Sequence, residues 1–160
     1  MVNMREIERK FLILSLPEGI DSHPASEIRQ GYLAVEGDRE VRVRARGERL
    51  VLTVKKKGKG LSREEVDIEL DESQFGQLWP LTQGRRVEKT RYVLDQGEFM
   101  IELDVFHGEL EGLCVAEVEF RSDREAEAFS PPGWFGAEVT ANDRFKNKNL
   151  ALRGRPDLEP

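Results

Sequence analysis

Apolar and charged residues alternate with a period of two along most of this sequence. In residues 41–44 the two valines share one parity, and Arg42 and Arg44 share the other. In residues 101–105 the apolar side chains alternate with Glu102 and Asp104. Successive side chains of a β-strand point to opposite faces, so this alternation predicts strands with one apolar and one charged face. We predict strands over residues 5–14, 28–35, 40–46, 49–57, 63–70, 86–94, 98–106 and 114–120.

Short links that carry turn residues join these strands, for example "EGD" at 36–38 and "GE" at 47–48. Links of this length favour antiparallel neighbours. Three helical patterns are also present, with Asp71, Ser122 and Asn142 as the expected N-caps. Because the sequence shows no repeat and no linker, its 160 residues predict one domain over 1–153 and a loose C-terminal tail over 154–160.

The composition of the charged face separates two interpretations of the alternation. A sheet with one solvated face alternates in the same way, and that interpretation stays open. Here, however, charges of one sign recur two residues apart, five times as acids and twice as bases. Like charges about 7 Å apart repel each other unless they have partners. Eight strands suffice to close a barrel, so we predict a mainly β fold with flanking helices (α+β), in which a closed eight-stranded antiparallel barrel has a polar, charged lumen and helices cover its apolar outside.

Composition and charge exclude several classes of function. A nucleic-acid-binding surface needs clustered basic residues, and the net charge of −6 argues against such a surface. One cysteine and two histidines are too few ligands for a typical zinc or copper centre, so a bound metal would have oxygen ligands, which favours Mg²⁺ or Mn²⁺. No apolar run reaches membrane-spanning length, and the N-terminus does not resemble a signal peptide. We therefore expect a cytoplasmic protein with no membrane partner.

A ligand with several phosphate groups is the natural complement of the basic residues on the charged face. These residues are Lys10, Arg42, Arg44, Lys55, Lys89 and Arg91. Arginine presents forked donors to phosphate oxygens, and lysine presents a compact point charge. The acidic pairs would repel such a ligand by themselves, whereas divalent cations bound between them bridge carboxylates to phosphates. Paired acids on facing strands also suit two-metal phosphoryl-transfer chemistry.

The segment "EIERKF" at residues 6–11 resembles the ExExK signature of the CYTH, or triphosphate tunnel metalloenzyme, superfamily. Further segments follow in that family's order: "RQGYL", "VRVR", "LTVK", "SREEVDIEL", "VEKTRY", "IELDVFHGEL", "AEVEF", "WFGAEVT" and "NDRFKNKNLA". In length the sequence is similar to the short, single-domain bacterial inorganic triphosphatases of this superfamily. The resemblance implies an eight-stranded tunnel in which a triphosphate lies among basic side chains.

The resemblance also implies roles for individual residues. Phosphate contacts are expected from Lys10, Arg42, Arg44, Lys55, Arg63, Lys89, Arg91, Arg144 and Lys146. Metal ligation is expected from Glu6, Glu8, Glu65, Asp67, Glu102, Asp104, Glu117 and Glu119, with two Mg²⁺ or Mn²⁺ ions in each site. Catalytic roles fall to Glu6 and Glu8, which would hold the second metal or orient the attacking water.

Tyr32 in "RQGYL" matches a tyrosine that is assigned as a proton acceptor in some members of the family. A phenol with a pKa of about 10 is a poor base at neutral pH. We therefore expect Tyr32 to gate the site or to contact phosphate instead.

The activity that the resemblance implies is divalent-metal-dependent hydrolysis of inorganic triphosphate to diphosphate and orthophosphate. Three alternatives stay open: a class IV adenylate cyclase, a thiamine triphosphatase, and a non-catalytic protein that binds polyphosphate or nucleotide. The expected partner is a small-molecule triphosphate. The sequence leaves open whether the chain forms a homodimer.

Overall fold

A computed structural model describes residues 7–58 and 63–157, with Arg63 described by its backbone only. Nine strands lie in these residues: β1 Ile7–Ile13, β2 Ala25–Glu36, β3 Arg39–Arg46, β4 Arg49–Lys57, β5 Arg63–Glu69, β6 Arg86–Asp95, β7 Met100–Phe106, β8 Cys114–Phe120 and β9 Phe135–Glu138. The α-helices are α1 Glu72–Leu78, α2 Asp123–Ala128 and α3 Asn147–Arg153. Four single 3-10 turns are Ile20–Ser22, Trp79–Thr82, Gly108–Leu110 and Asp143–Phe145.

All nine strands belong to one antiparallel sheet with the order β5-β4-β3-β2-β6-β7-β8-β1-β9. The predicted mainly β, antiparallel fold with flanking helices is therefore confirmed. In the described part of the chain, β5 and β9 end the order and no ladder joins them, so closure of the barrel stays a prediction. The four-residue β9, which pairs with β1, is too short to give a period-two signal, and the sequence prediction missed it.

Two apolar clusters lie on the outer face, which is the face opposite the charged residues. Val43 and Ala45 of β3 pack with Phe75 of α1 in one cluster. Ile101 of β7 and other strand residues pack with Ala126 of α2 in the other. The prediction that helices cover the apolar outside is thus confirmed for α1 and α2.

Helix α3 instead packs on the inner face, which is the face that carries the charged residues. Leu150 and Ala151 of α3 join Tyr32, Val87 and Phe106 in a third buried cluster. Val87 and Phe106 have the parity of the charged positions on β6 and β7, so this cluster shares the inner face with them. Helix α3 therefore lies at one end of the inner face, because apolar side chains occupy that end and α3 covers them.

Side-chain caps fix where the helices begin. The Asp71 side chain accepts a hydrogen bond from the Gln74 backbone N–H in a full capping box, and Ser122 caps α2 through the Glu125 N–H. Both predicted caps are confirmed. Asn142 caps the 3-10 turn Asp143–Phe145, and α3 begins only at Asn147.

The C-terminal segment is described as far as Asp157. Pro156 is buried, and the Arg155 guanidinium donates a hydrogen bond to the Glu111 carbonyl at 3.4 Å. This part of the segment predicted to be loose therefore lies against the domain, while the domain boundary itself stays a prediction. Within the described residues, no helix has the length and apolar character needed to span a bilayer.

Candidate functional site

The inner face of the sheet encloses a cavity of about 510 Å³. Residues of β4 and β1, which lie near opposite ends of the strand order, both line it, so the sheet must curl around it. Ten of the described lining residues are cationic: Lys10, Arg39, Arg42, Arg44, Lys55, Lys56, Lys57, Arg91, Lys146 and Lys148. Four are acidic: Glu8, Asp38, Glu40 and Glu117. A chain with a net charge of −6 thus concentrates positive charge in this one cavity.

A second cavity, of about 560 Å³, lies on the outer face beside Phe99, Phe120 and Phe129. Aromatic rings make up much of its wall, and its charged residues are Glu98, Arg121 and Glu125. It does not gather the charges that the sequence pattern places on the inner face. We therefore assign the candidate site to the inner, charged cavity.

Cross-strand partners neutralise many of the like-charge pairs seen in the sequence. Lys10 of β1 stands opposite Glu117 of β8, and Lys10 Nζ lies 3.2 Å from the carboxylate. Lys55 of β4 stands opposite Glu65 of β5, at 3.6 Å. The argument from unpartnered like charges is therefore wrong for these residues, because the register supplies partners that spacing along one strand cannot reveal.

Arg42 and Arg44 have neutral neighbours on both adjacent strands. Arg42 stands between Tyr32 and Thr53, and Arg44 between Gln30 and Val51. The Nε atoms of both arginines are buried without a hydrogen-bond partner. Arg42 Nη1 lies 3.4 Å from a carboxylate oxygen of Glu40. These two arginines thus leave positive charge and unused donors at the cavity.

Burial, and then the positive charges of Arg91 and Arg42, lower the pKa of the Arg44 guanidinium from its ordinary value. Arginine nevertheless stays charged in proteins. Without a bound anion, an arginine in this position lowers the stability of the fold, because desolvation and like-charge repulsion both act against its charge. An anion that accepts hydrogen bonds from these donors would relieve both effects.

Lys89 lies behind the cavity wall in a buried ionic network. It is 2% exposed, and Nζ donates to Asp104 Oδ2 at 2.7 Å and to Asn147 Oδ1 at 3.4 Å. The Arg91 guanidinium donates to both Asp104 oxygens, at 2.7 and 2.9 Å, and also pairs with Glu102. Two predicted metal ligands, Asp104 and Glu102, therefore neutralise two predicted phosphate-binding residues.

The network shifts the pKa of its members in ways that their contacts explain. Burial lowers the pKa of Lys89 even though Asp104 opposes that shift. Burial acts to raise the pKa of Asp104, but hydrogen bonds from Arg91 and the charge of Lys89 outweigh it and hold that pKa below its ordinary value. Asp104 is thus the shared counter-ion of two buried cations.

Nine of the predicted site residues line the cavity: Glu8, Lys10, Tyr32, Arg42, Arg44, Lys55, Arg91, Glu117 and Lys146. Lys89 and Asp104 are buried outside its lining, and Glu102 pairs with Arg91. The structure also leaves Glu65, Asp67, Glu119 and Arg144 out of the lining. Asp67 accepts a hydrogen bond from Thr53 at 2.7 Å. Glu6 lies outside the described residues, as does the side chain of Arg63, so their predicted roles stay predictions.

Carboxylates on β7, β8 and β1 stand in register on the inner face. Glu8 is opposite Glu119, and Glu117 is opposite Glu102. Directly opposed acids repel each other; Lys10 offsets this at Glu117 and Arg91 offsets it at Glu102, and a hard divalent cation with oxygen ligands would offset it further. In the described ranges, no group of three or more acidic, histidine or cysteine side chains is already assembled as a metal site. The residues therefore fit a cation that takes its remaining ligands from phosphate oxygens, as Mg²⁺ commonly does.

Nine lining residues were missed by the sequence prediction: Gln30, Gly37, Asp38, Arg39, Glu40, Lys56, Lys57, Asn147 and Lys148. Gln30 donates a hydrogen bond from Nε2 to the Tyr32 hydroxyl at 2.8 Å. Glu40 lies 3.4 Å from Arg42 and 3.8 Å from Lys148 of α3. Gln30 and Glu40 share the parity of Tyr32 and Arg42, so strand phase could have identified them; nothing local could have placed Lys148 opposite Glu40.

The fold and the site together define a class of protein: a curled antiparallel sheet whose inner face lines a cavity rich in cationic side chains. The CYTH domain family matches residues 4–130, and the chain belongs to this family.

Relatives extend the match over nearly the whole chain. An inorganic triphosphatase of Nitrosomonas europaea is 53% identical over 152 residues, which are 93% of this chain and 98% of that protein. An inorganic triphosphatase of Acetivibrio thermocellus is 36% identical over 91% of this chain and 92% of its own. A crystal structure of an inorganic triphosphatase superposes with a TM-score of 0.81 at 47% identity, covering 95% of this chain and 96% of that one.

Proposed function

We propose that this protein hydrolyses inorganic triphosphate to diphosphate and orthophosphate. The single observation that carries the proposal is the pair Arg42 and Arg44, whose buried Nε donors lack partners at a cation-rich cavity. A linear triphosphate offers many anionic oxygens in a shape that such a cavity can enclose. The identity to two inorganic triphosphatases supports the assignment of the ligand and of the reaction.

Four basic residues on three strands are placed to hold the phosphate chain. Arg42 and Arg44 on β3 would donate forked hydrogen bonds, and Lys10 on β1 and Lys55 on β4 would add point charges. Neutralising the phosphate charge and holding the chain in line for attack supply most of what phosphoryl transfer requires from a protein. Water attacks a terminal phosphorus, and diphosphate leaves.

Triphosphatases of this family are metal-dependent in general. Within this chain, the carboxylates of Glu8 and Glu117 line the cavity, with Glu119 and Glu102 in register beside them, and we assign these residues to Mg²⁺ or Mn²⁺. A bound divalent ion would neutralise charge on the phosphates and lower the pKa of water. The number of ions and the choice between the two metals belong to this proposal.

A phosphate-release assay tests the proposed function. Purified protein is given triphosphate, thiamine triphosphate, ATP or long polyphosphate with Mg²⁺ or Mn²⁺, and with EDTA as the control. We expect orthophosphate and diphosphate from triphosphate, and no release in EDTA. Cyclic AMP from ATP would instead indicate a cyclase, and tight triphosphate binding with no metal-dependent release would indicate a sensor.

Glu8→Gln tests the role of the acid on β1. Since the amide keeps the shape of the side chain but loses its charge, we expect kcat to fall at least tenfold while the Kd for triphosphate changes little. Equal losses of kcat and of binding would instead indicate that Glu8 helps to bind the substrate and does not activate the reaction. Glu98→Gln, on the outer face, is the matched control and should change neither constant.

The cytoplasmic location and the oligomeric state stay predictions.

A further inference from the structure

Gln30 and Tyr32 form a buried polar pair in the wall of the charged cavity. They lie two residues apart on β2, so both side chains point to the inner face. Gln30 is 4% exposed and Tyr32 is 1% exposed. Gln30 Nε2 donates to the Tyr32 hydroxyl at 2.8 Å, and both residues line the cavity. The Gln30 amide is buried beside a candidate ligand site and donates a hydrogen bond to a phenol there. Such a buried polar contact calls for a functional explanation.

The phenol spans the apolar and the charged parts of the inner face. Tyr32 belongs to the buried cluster with Val87, Phe106 and Leu150, and it also lines the charged cavity. Its cross-strand neighbour on β3 is Arg42, whose positive charge acts to lower the pKa of the phenol. The hydrogen bond that the phenol oxygen accepts comes from the Gln30 amide.

Because the Gln30 amide donates to the phenol oxygen, the Tyr32 hydroxyl keeps its own proton to donate. Burial raises the pKa of Tyr32, although the charge of Arg42 opposes the shift, so the phenol stays protonated at neutral pH. A phosphate anion in the cavity, which Tyr32 lines, would offer an acceptor for that proton.

We propose that Gln30 is a positioning residue: its amide holds the Tyr32 hydroxyl so that the phenolic O–H points into the cavity and donates to a phosphate oxygen. The inference rests on the proposed function and adds a specific donor to that site. Gln30 acts through Tyr32 and need not touch the substrate itself.

The cross-strand neighbour of Gln30 explains why an amide suits this position. Gln30 stands opposite Arg44 in the β2–β3 ladder. A carboxylate there would pair with Arg44 and would accept the phenolic proton, which would remove two donors from the cavity. A neutral amide does not pair with the Arg44 charge, which stays available to a ligand. It also supplies the N–H that donates to the phenol oxygen.

A double-mutant cycle tests the inference. Gln30→Met keeps the volume and removes the donor, and Tyr32→Phe removes the hydroxyl. We expect each single variant to lower kcat/KM for triphosphate by about three- to tenfold, the range for one neutral hydrogen bond. Because Gln30 acts through the hydroxyl, the double variant should lose no more than Tyr32→Phe alone.

Losses that multiply in the double variant would overturn the inference, and so would an unchanged Gln30→Met. Gln83→Met, an exposed glutamine outside the cavity, is the matched control and should match wild type. Thermal unfolding of each variant separates a folding defect from a site defect. A wild type that binds triphosphate without hydrolysing it would refute the proposed function. The inference would then be tested by the same double-mutant cycle, with the Kd for triphosphate measured in place of kcat/KM.

A spectroscopic measurement on wild type tests the inference even if Gln30→Met fails to fold. The chain has two tyrosines, Tyr32 and Tyr92, so ring ¹³Cζ labelling gives two signals, which Tyr92→Phe assigns. Adding triphosphate without metal should shift the Tyr32 signal and leave the Tyr92 signal in place. No shift of Tyr32 at saturating triphosphate would overturn the inference.

Discussion

At the scale of single residues, cross-strand neighbours decide which charges are available to a ligand. Arg91 donates to Asp104 and Glu102, and its charge is satisfied within the protein. Arg44 has neutral partners, Gln30 and Val51, on both sides. Two arginines with the same parity pattern in the sequence thus have different roles, because the strands beside them differ.

Arg44→Met tests whether this arginine is kept for binding at the expense of stability. Loss of a charge-assisted contact of about 1.5–3 kcal/mol should weaken triphosphate binding by roughly 10- to 150-fold. Removing a half-buried charge among like charges should raise stability without ligand, by about 1 kcal/mol. Calorimetric titration and thermal unfolding measure the two effects.

Arg39→Met, at an exposed residue of the same cavity, is the matched control for Arg44→Met. Its effect on stability without ligand should be close to zero. A lower unfolding temperature for Arg44→Met than for wild type would contradict the assignment, because it would show that Arg44 stabilises the fold.

At the scale of elements, close packing against the outer face sets the position of β2. Gly31 lies between Gln30 and Tyr32 and points outward, where a Cβ would be 2.4 Å from Thr82 Oγ1. Thr82 belongs to the 3-10 turn that follows α1, is fully buried, and donates to the Trp79 carbonyl at 2.7 Å. The strand that carries the polar pair is therefore fixed from behind by this turn.

Gly31→Ala should destabilise the protein by about 1–3 kcal/mol, because the methyl group cannot enter without moving the turn or the strand. Gly76→Ala in α1 is the matched control: a Cβ there meets nothing within 4 Å. In a helix this exchange should stabilise by about 0.5–1 kcal/mol. Urea unfolding measures both variants, and equal effects would contradict the close contact at Gly31.

At the scale of the whole molecule, the sheet brings opposite charges together from distant parts of the sequence. Glu138 of β9 pairs with Arg9 of β1, and Lys148 of α3 pairs with Glu40 of β3. In the buried network, one carboxylate, Asp104, serves Lys89 and Arg91. Acid should therefore affect the stability of the fold through this residue.

The sign of the acid effect follows from the lowered pKa of Asp104. A carboxyl whose folded pKa lies below its unfolded value stabilises the protein above the unfolded pKa, about 4, and loses that effect as the pH falls through the folded pKa. Asp104→Asn should cost about 3–5 kcal/mol at neutral pH, since it leaves two buried cations without their partner. The difference from wild type should shrink below about pH 4.

Unfolding by urea at a series of pH values measures this difference. Glu102→Gln is the matched control, because Glu102 also pairs with Arg91 but is partly exposed. It should cost less than about 1 kcal/mol. A constant difference between wild type and Asp104→Asn down to low pH would exclude Asp104 as the titrating group.

The sequence by itself determined the local features of this protein. Period-two alternation predicted eight of the nine strands, the N-caps Asp71 and Ser122 were correct, and parity placed Arg42 and Arg44 on one face. These features depend on neighbours a few residues away, and a linear pattern contains that information. The motif "EIERKF" with the later charged pairs was also enough to indicate the family.

Only the tertiary structure decided which of the charges remain for a ligand. The pairing of Arg91 with Asp104, the neutral neighbours of Arg44 and the position of α3 on the inner face depend on register and on the curl of the sheet. Register joins residues that are far apart in sequence, and each strand's alternation is the same whichever strand lies beside it. For this reason the sequence could place Arg42 and Arg44 on the charged face but could not distinguish them from the basic residues that neighbouring strands neutralise.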